Sequence, residues 1–331
     1  MQKRVWQIDI MRGVSMILMM VLHVLAYYKE DSVAFAIWEF AQLSVPVFIF
    51  CSAYLFYTRD AASATYGFSY FKKRLIRLMV PYYWFLAAYG VLLAYFEPSK
   101  LTQPYIIDSI ILTDGIYINW LVLLFLYMSI MSPIMMAVYR KNAYLLGAWL
   151  IFATTFSVLT FSMAWPTWWR WGMWIGWSPL IVYCWYISDA IVAGNRRRLI
   201  GAAAAALLLT GMLALYRMSV GLSLEVTQSK YPPNIYYLAY SALCVPLAWF
   251  VSNARLFQSK GVQSVVGYFS RHSYSLFFIH FFVIFFLLYL VPTNQLHWLP
   301  YTGLMFGITM GVQLLLTTIA KKLASGLGNS R

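Results

Sequence analysis

The chain has 331 residues, of which 62% are hydrophobic and only 10% are charged, and its mean hydropathy is +0.70. About a quarter of the residues of a soluble domain are charged, because a solvated surface needs them, so this composition excludes an ordinary soluble protein. The net charge of +14 would suggest a nucleic-acid partner in a soluble chain. In a membrane protein, basic residues at helix ends account for such a positive charge, and we expect no nucleic-acid partner.

Apolar windows of about 17–25 residues predict the transmembrane helices. They predict an all-α integral membrane protein, a bundle of about ten transmembrane helices in which residues 1–331 form a single membrane domain. The basic segment 64–77 is expected to lie in the interface before the third span. The segment 253–272 is expected to form a cytoplasmic connection, either irregular or as a short surface helix. The spans are placed near 10–28, 34–57, 78–96, 118–138, 143–163, 172–193, 199–218, 235–252, 273–291 and 299–320.

The distribution of positive charge predicts the orientation of this bundle. With a cytoplasmic N-terminus, 19 of the 24 Lys and Arg residues fall in cytoplasmic segments. The five that fall outside are Lys29, Lys100, Arg170, Arg217 and Lys230. Positive residues are retained in the cytoplasm during membrane insertion. Both termini are therefore expected in the cytoplasm, in a multi-pass protein of the cell inner (plasma) membrane. The three cysteines lie within apolar runs and predict neither a metal site nor a disulfide framework.

The first span carries three ionisable residues, Asp9, Arg12 and His23. Ionisable residues inside a membrane helix cost free energy and usually mark functional positions. The step from Arg12 to His23 amounts to three helical turns plus about 20°, so the two side chains share a face. Asp9 precedes Arg12 by one turn and lies on the same stripe. Arg12 is expected near the cytoplasmic boundary, and His23 about 16 Å deeper along the helix.

This layout suits group transfer from a cytoplasmic donor. A cation near the cytoplasm can hold an anionic donor, such as the phosphates of coenzyme A. A histidine deeper in the membrane can act as a general base or carry an acyl group transiently. The alternative is structural: Asp9 and Arg12 would form an interfacial pair that sets the topology, and His23 would hydrogen-bond a neighbouring helix.

Further motifs follow in order along the chain. They are VPVF at 45–48, SAYLF at 52–56, KKRLIR at 72–77 before PY at 81–82, NWL at 119–121 and SRHSYSLFFIH at 270–280. Together with Asp9, Arg12, Gly13 and His23, this ordered set resembles the acyltransferase 3 family of membrane O-acyltransferases. Ala53 stands where that family usually has glycine. YPPN at 231–234 resembles an element of related membrane acyltransferases.

The resemblance implies an acyl-CoA donor, commonly acetyl-CoA, and an acceptor hydroxyl on a sugar of a surface glycan or its lipid-linked precursor. It implies no metal. Arg74 and Arg77 share a helix face because they are three residues apart. The resemblance makes them partners of Arg12 in binding the donor phosphates, whereas as plain sequence they could equally be positive-inside determinants.

Three other places are candidates for contact with substrate. Glu39 is the only carboxylate well inside the second span; it is expected at the depth of His23, where it would orient His23 or bind an acceptor hydroxyl, or else at the solvated outer interface. His280 would contact the acyl group or the acceptor, or hydrogen-bond a neighbouring helix. Tyr231 and Asn234 lie in an outer loop that would cap an acceptor site, unless the prolines between them only stiffen the turn.

The hypothesis is therefore a membrane acyltransferase of the O-acetyltransferase type. A transporter or flippase of a lipid-linked glycan and a membrane scaffold are the alternatives, although the sequence shows no internal repeat of the kind that many transporters have. Membrane lipids surround the chain, which could also form a homodimer. The predicted roles are His23 and Glu39 in catalysis, Arg12, Arg74 and Arg77 in acyl-CoA binding, and Tyr231, Asn234 and His280 in substrate binding.

Overall fold

The computed structural model describes residues 5–60, 66–160 and 169–328, and within these ranges the chain is helical without β-strands. Lys3, Arg4 and Arg331, which the sequence assigns to the cytoplasmic side, lie outside the described residues. The α-helices are α1 (Trp6–Leu25), α2 (Ser32–Ala41), α3 (Ser44–Leu55), α4 (Phe68–Phe96), α5 (Gln103–Ile111), α6 (Asn119–Lys141), α7 (Ala143–Leu159), α8 (Trp169–Val192), α9 (Arg196–Ser219), α10 (Ile235–Ser252), α11 (Lys260–Leu290) and α12 (Trp298–Gly328).

Every predicted span corresponds to an apolar helix. In the described ranges, nine helical segments are long and apolar enough to cross a membrane. The fifth predicted span corresponds to α7, a shorter apolar helix of 17 residues, which covers about 26 Å at 1.5 Å per residue. The prediction of an all-α membrane bundle is therefore confirmed.

The second span is two helices rather than one. α2 ends at Ala41 and α3 begins at Ser44. The apolar membrane-spanning segment to which both belong continues to Thr58. Pro46 explains the break, because its ring nitrogen cannot donate a hydrogen bond to the carbonyl of Gln42 one turn earlier. The break leaves Gln42 completely buried, with its side-chain amide inside the bundle.

Two segments expected to lie outside the spans are instead parts of long helices. The basic segment 64–77 was expected in the interface, but from Phe68 onward it forms the first turns of α4. Most of 253–272, expected as a connection, belongs to the 31-residue α11. Lys, Arg and Gln are good helix formers, so polar composition does not end these helices. At about 46 Å, α11 is longer than the roughly 30 Å hydrocarbon layer and extends beyond it.

The first helix lies at the centre of the bundle. It packs against α2, α3, α10, α11 and α12, and this is why an apolar helix with polar side chains is largely buried. At Gly13 the contact with α11 is between backbones: an added Cβ would lie 2.1 Å from the carbonyl oxygen of Val266. By contrast, α9 lies at the periphery, with only 11% of its apolar window buried.

Candidate functional site

A cavity of about 200 Å³ lies between α1, α3, α4, α6 and α11. Its polar end is formed near the predicted cytoplasmic ends of these helices, where Arg12, Arg74 and Arg77 line it together with Ser132 and Ser273. Its other end is apolar and lies deeper along the same helices. There the lining includes Met16, Met19, Phe48, Leu121, Phe125 and Phe277.

The guanidinium group of Arg12 is held in one orientation by its neighbours. Its Nε donates to Ser270 Oγ at 3.0 Å, and Nη2 donates to Asp9 Oδ1 at 3.2 Å. Ser270 in turn donates to the same Asp9 oxygen at 2.9 Å. Nη1 donates to no acceptor among the described residues, so a rigidly placed part of this guanidinium can bind an anion in the cavity.

The other two arginines come from the first turns of α4. The guanidinium of Arg74 lies 5.3 Å from the ring centre of Tyr70, and Arg77 is exposed. The hydroxyl of Tyr274 donates to the carbonyl of Leu78 at 2.6 Å and so fastens α11 to α4 beside them. The three arginines predicted from the sequence therefore line one cavity, with the carboxylate of Asp9 paired to Arg12.

His23 and His280 form a hydrogen-bonded pair in the half of the bundle away from Arg12. Nδ1 of His23 lies 3.1 Å from Nε2 of His280, and Nδ1 of His280 lies 2.8 Å from the carbonyl of Leu276. A carbonyl can only accept, so Nδ1 of His280 carries a proton. In the neutral ring, Nε2 of His280 is then the acceptor and Nδ1 of His23 the donor. This chain leaves Nε2 of His23 unprotonated, which is the form a general base needs.

The cavity stops one helical turn short of His23. Met19 and Phe277 form its deep end, and His23 is not part of its lining. The ring of Phe277 contacts those of His280 and Phe281, and the ring of Phe281 lies 4.2 Å from that of His23. The sequence predicted one passage lined by both Arg12 and His23. The structure shows instead a cavity at Arg12, closed from His23 by a methionine and an aromatic layer.

The remaining predicted site residues lie around the outer loop at 226–234. Oε2 of Glu39 accepts from the backbone N–H of Val226 at 3.2 Å, and His280, not Glu39, is the hydrogen-bond partner of His23. Asn234 caps α10, because its Oδ1 accepts from the N–H groups of Tyr236 and Tyr237 at 3.0 and 3.1 Å.

Tyr231 belongs to an aromatic cluster beside that loop. Its ring lies 4.9 Å from the ring of Trp120 and 6.0 Å from that of Tyr117, both edge-on. Aromatic faces of this kind are common at ligand sites and in membrane-protein cores alike.

The structure brings Arg12, Arg74 and Arg77 together and pairs His23 with His280. Glu39 and Asn234 instead hydrogen-bond the backbone at the two ends of the loop at 226–234.

A comparison with known families identifies the chain. The family model described as an acyltransferase domain, Acyl_transf_3, matches residues 5–318. The chain belongs to the acyltransferase 3 family. This makes the protein a multi-pass membrane acyltransferase and favours an enzyme over the transporter and scaffold alternatives. No curated protein and no solved structure matches the chain.

The acyltransferase also contains a charged residue whose importance sequence analysis missed. Lys230 was counted there only as one of five outer basic residues, yet it is 3% exposed. Burial lowers the pKa of its ammonium group to about 7. The available signal was its position directly before the YPPN element at 231–234.

No group of three or more His, Cys, Asp or Glu side chains in the described part of the acyltransferase is placed to hold a metal ion. The three arginines can bind an anion, and the histidine pair can transfer a proton. Both are parts of acyl transfer from a phosphate-bearing donor.

Proposed function

We propose that this acyltransferase moves an acyl group, most simply acetyl, from acyl-CoA on the cytoplasmic side of the plasma membrane to a hydroxyl group. The acceptor is a sugar of a surface glycan or of its lipid-linked precursor. The observation that carries the proposal is the cavity with three arginines at its polar end and an apolar interior that leads toward the His23–His280 pair.

The cavity matches the two-part chemistry of acyl-CoA. The nucleotide end of coenzyme A carries phosphates, which guanidinium groups bind through charge-assisted, often bidentate hydrogen bonds. The pantetheine arm and the acyl group are much less polar and suit the methionine, leucine and phenylalanine side chains deeper inside. Arg12 is already oriented by Asp9 and Ser270, so its binding to phosphate requires little ordering.

The proton transfer follows from the tautomer of His23. The thioester reaches His23 once the side chains of Met19 and Phe277 move aside. Nε2 of His23 then removes the hydroxyl proton as the acceptor oxygen forms a bond to the thioester carbon. The carbon–sulfur bond then breaks, and the leaving thiolate takes from His23 the proton that came from the hydroxyl. In the alternative route Nε2 of His23 attacks the thioester carbon and coenzyme A leaves as the thiolate. The hydroxyl then takes the acyl group from the imidazole, and its proton passes to the thiolate. Both routes need the same free Nε2.

Of the two roles that the sequence left open for His280, the structure favours the hydrogen bond to a neighbouring helix over contact with the acyl group or the acceptor. Both of its ring nitrogens are engaged inside the bundle, one with Leu276 and the other with His23. It is therefore proposed as a positioning residue that keeps the proton of His23 on Nδ1, much as a carboxylate does in catalytic triads. It acts through His23 rather than by contact with the acceptor.

Replacing Arg12 with glutamine tests the donor site. With purified protein in nanodiscs and acetyl-CoA, release of free thiol is expected to show a KM that rises about 10- to 100-fold, because a charge-assisted hydrogen bond is lost. Arg197→Gln is the matched control, since Arg197 is exposed at the start of α9 and away from the cavity. The same KM in Arg12→Gln and wild type would contradict the proposed donor site.

Shortening Met19 tests the deep end of the cavity. Met19→Ala is expected to raise the ratio of kcat/KM for butyryl-CoA to that for acetyl-CoA by about tenfold, because extra methylenes gain space. Met20→Ala is the control: Met20 is equally buried but does not line the cavity, so the two variants lose similar stability. Equal ratios in both variants would show that Met19 does not limit the acyl chain.

The acceptor class needs a separate experiment in cells. Mass spectrometry of surface glycans from cells with and without the protein is expected to show the loss of one acyl mass per modified sugar. Glycans of identical mass in the two strains, with thiol release still seen in vitro, would leave the enzyme an acyltransferase and exclude a surface-glycan acceptor.

A further inference from the structure

Lys230 is a buried cation without an anionic partner in the described parts of the chain. It follows the short helix Val226–Ser229, in a loop whose residues Val226, Ser229 and Asn234 are also buried. Among the described residues its ammonium group makes one hydrogen bond, and this is a long one, 3.4 Å from Nζ to Oε1 of Gln42. The nearby ring centres of Trp120 and Tyr231, at 5.3 and 5.2 Å, complete its surroundings.

Such a placement is unfavourable for the resting protein. Removing an ammonium group from water is costly unless an anion and several hydrogen bonds replace its hydration. The amide of Gln42 and the aromatic faces of Trp120 and Tyr231 replace the hydration of the ammonium group only in part. A methionine would fill similar space without a charge, so folding alone does not account for a lysine here. A negative charge that arises during the reaction would account for it.

The reaction generates such a charge close to His23. When the acceptor oxygen adds to the thioester carbon, the carbonyl π electrons move onto the carbonyl oxygen and form an oxyanion. That atom must lie near Nε2 of His23, because His23 takes the proton of the attacking hydroxyl. The charge of Lys230 acts on the ring of His23 through space. The ammonium group also lies over Trp120, which directly precedes Leu121 of the cavity lining.

On the basis of the proposed function, we propose that the ammonium group of Lys230 donates to the thioester carbonyl oxygen and stabilises the oxyanion of the transfer step. The collapse of this intermediate re-forms the C=O bond and expels the thiolate, which takes the proton from His23. Lys230 stays protonated throughout and is a catalytic residue in the strict sense, since it contacts the reacting oxygen.

The loop around Lys230 is held firmly enough for this role. Glu39 binds the backbone N–H of Val226, and the carboxylate of Glu225 pairs with Lys29 at 3.3 Å. The amide of Gln42 has only one workable orientation, because its Nε2 donates to the carbonyl of Trp38 at 3.3 Å and its oxygen then faces Lys230. A donor fixed before the reaction stabilises a transition state without further reorganisation.

Lys230→Met is the direct test, with acetyl-CoA as donor, water as acceptor and release of free thiol as readout. Loss of one oxyanion donor is expected to lower kcat about 10²- to 10³-fold with an unchanged KM for acetyl-CoA. The midpoint of thermal unfolding should not fall, because a buried charge is removed. Lys100→Met is the matched control, since Lys100 is exposed on the same predicted side.

The pH dependence provides a second, independent measurement. The groups that face Lys230 are Gln42 from the α2–α3 junction, Trp120 from α6, Tyr231 from its own loop and His23 from α1. Because burial lowers the pKa of Lys230 to about 7, the ammonium form is lost as the pH rises through 7, and kcat of the wild type should fall there. Lys230→Arg keeps its charge at these pH values, so this alkaline decrease should disappear.

The outcomes separate the role of Lys230 from the proposed function. Wild-type kcat in Lys230→Met, or a raised KM at unchanged kcat, would overturn the role of Lys230 and leave the acyltransferase reaction intact. An alkaline decrease that persists in Lys230→Arg would overturn it as well. No thiol release by the wild type from any acyl-CoA would overturn the proposed donor, and the oxyanion role with it.

Discussion

Replacing His23 with glutamine should lower kcat for acetyl-CoA turnover about 10³-fold, the middle of the range for loss of a general acid–base group. The KM for acetyl-CoA should change little, because the arginines proposed to hold the phosphates are about three helical turns away. Glutamine retains a side chain of similar length that can still donate to His280. Thiol release by the purified protein measures both constants.

The neighbouring histidine provides a graded comparison. His280→Gln keeps an oxygen that can accept from Nδ1 of His23 and should retain more activity than His280→Leu, which cannot accept. His297→Gln is the control, since His297 is exposed and outside the described cavity. Full activity of His23→Gln would contradict general-base and acyl-carrier roles alike. Equal kcat in the two His280 variants would contradict the positioning role of that ring.

Replacing Gly13 with alanine should have the largest structural effect. The added Cβ would lie 2.1 Å from the carbonyl oxygen and 3.0 Å from the carbonyl carbon of Val266. Because these are backbone atoms, rotation of a side chain cannot relieve the overlap, and α1 and α11 must move apart. The expected loss is about 3 kcal/mol, at the upper end for overpacking, with a lower midpoint of thermal unfolding.

The same displacement should also lower activity. α1 and α11 supply Arg12 and Ser270 at one level and His23 and His280 at another, so separating the helices loosens both pairs. Gly211→Ala is the matched control: Gly211 lies in the exposed α9, nothing lies within 4 Å of its added Cβ, and alanine should stabilise the helix by about 0.5–1 kcal/mol. Unfolding midpoints alike in both variants would refute the backbone contact at Gly13.

Much of the architecture follows from local patterns. Apolar length alone identified ten spans, since a helix must be long enough to cross the hydrocarbon layer. Helical periodicity placed Arg12 and His23 on one face, and Arg74 and Arg77 on another, because both separations lie within single helices. The ordered motifs also indicated the family that the match at 5–318 shows.

Other features depend on where the chain folds back. The interruption at Gln42 could have been predicted from Pro46, but the contact made there could not. The side-chain oxygen of Gln42 accepts from Nζ of Lys230, which is 188 residues away in the chain. Glu39 was expected beside His23 because both were predicted at a similar depth in the membrane. Depth alone, however, does not determine whether two side chains on different helices point toward each other. The structure places Glu39 on the loop at Val226 instead.

Periodicity within a helix is a property of neighbouring residues, and it is sufficient to specify the spans, their polar faces and the stripe from Asp9 to His23. The partners of those faces are chosen by steric fit between helices, such as the close approach of Gly13 to Val266. That fit brings His280 to His23 across 257 residues and closes the cavity at Met19 and Phe277. It also buries Lys230 without an anionic partner among the residues that the structure describes. Local sequence does not specify these contacts, because each depends on side chains supplied by segments far apart in the chain.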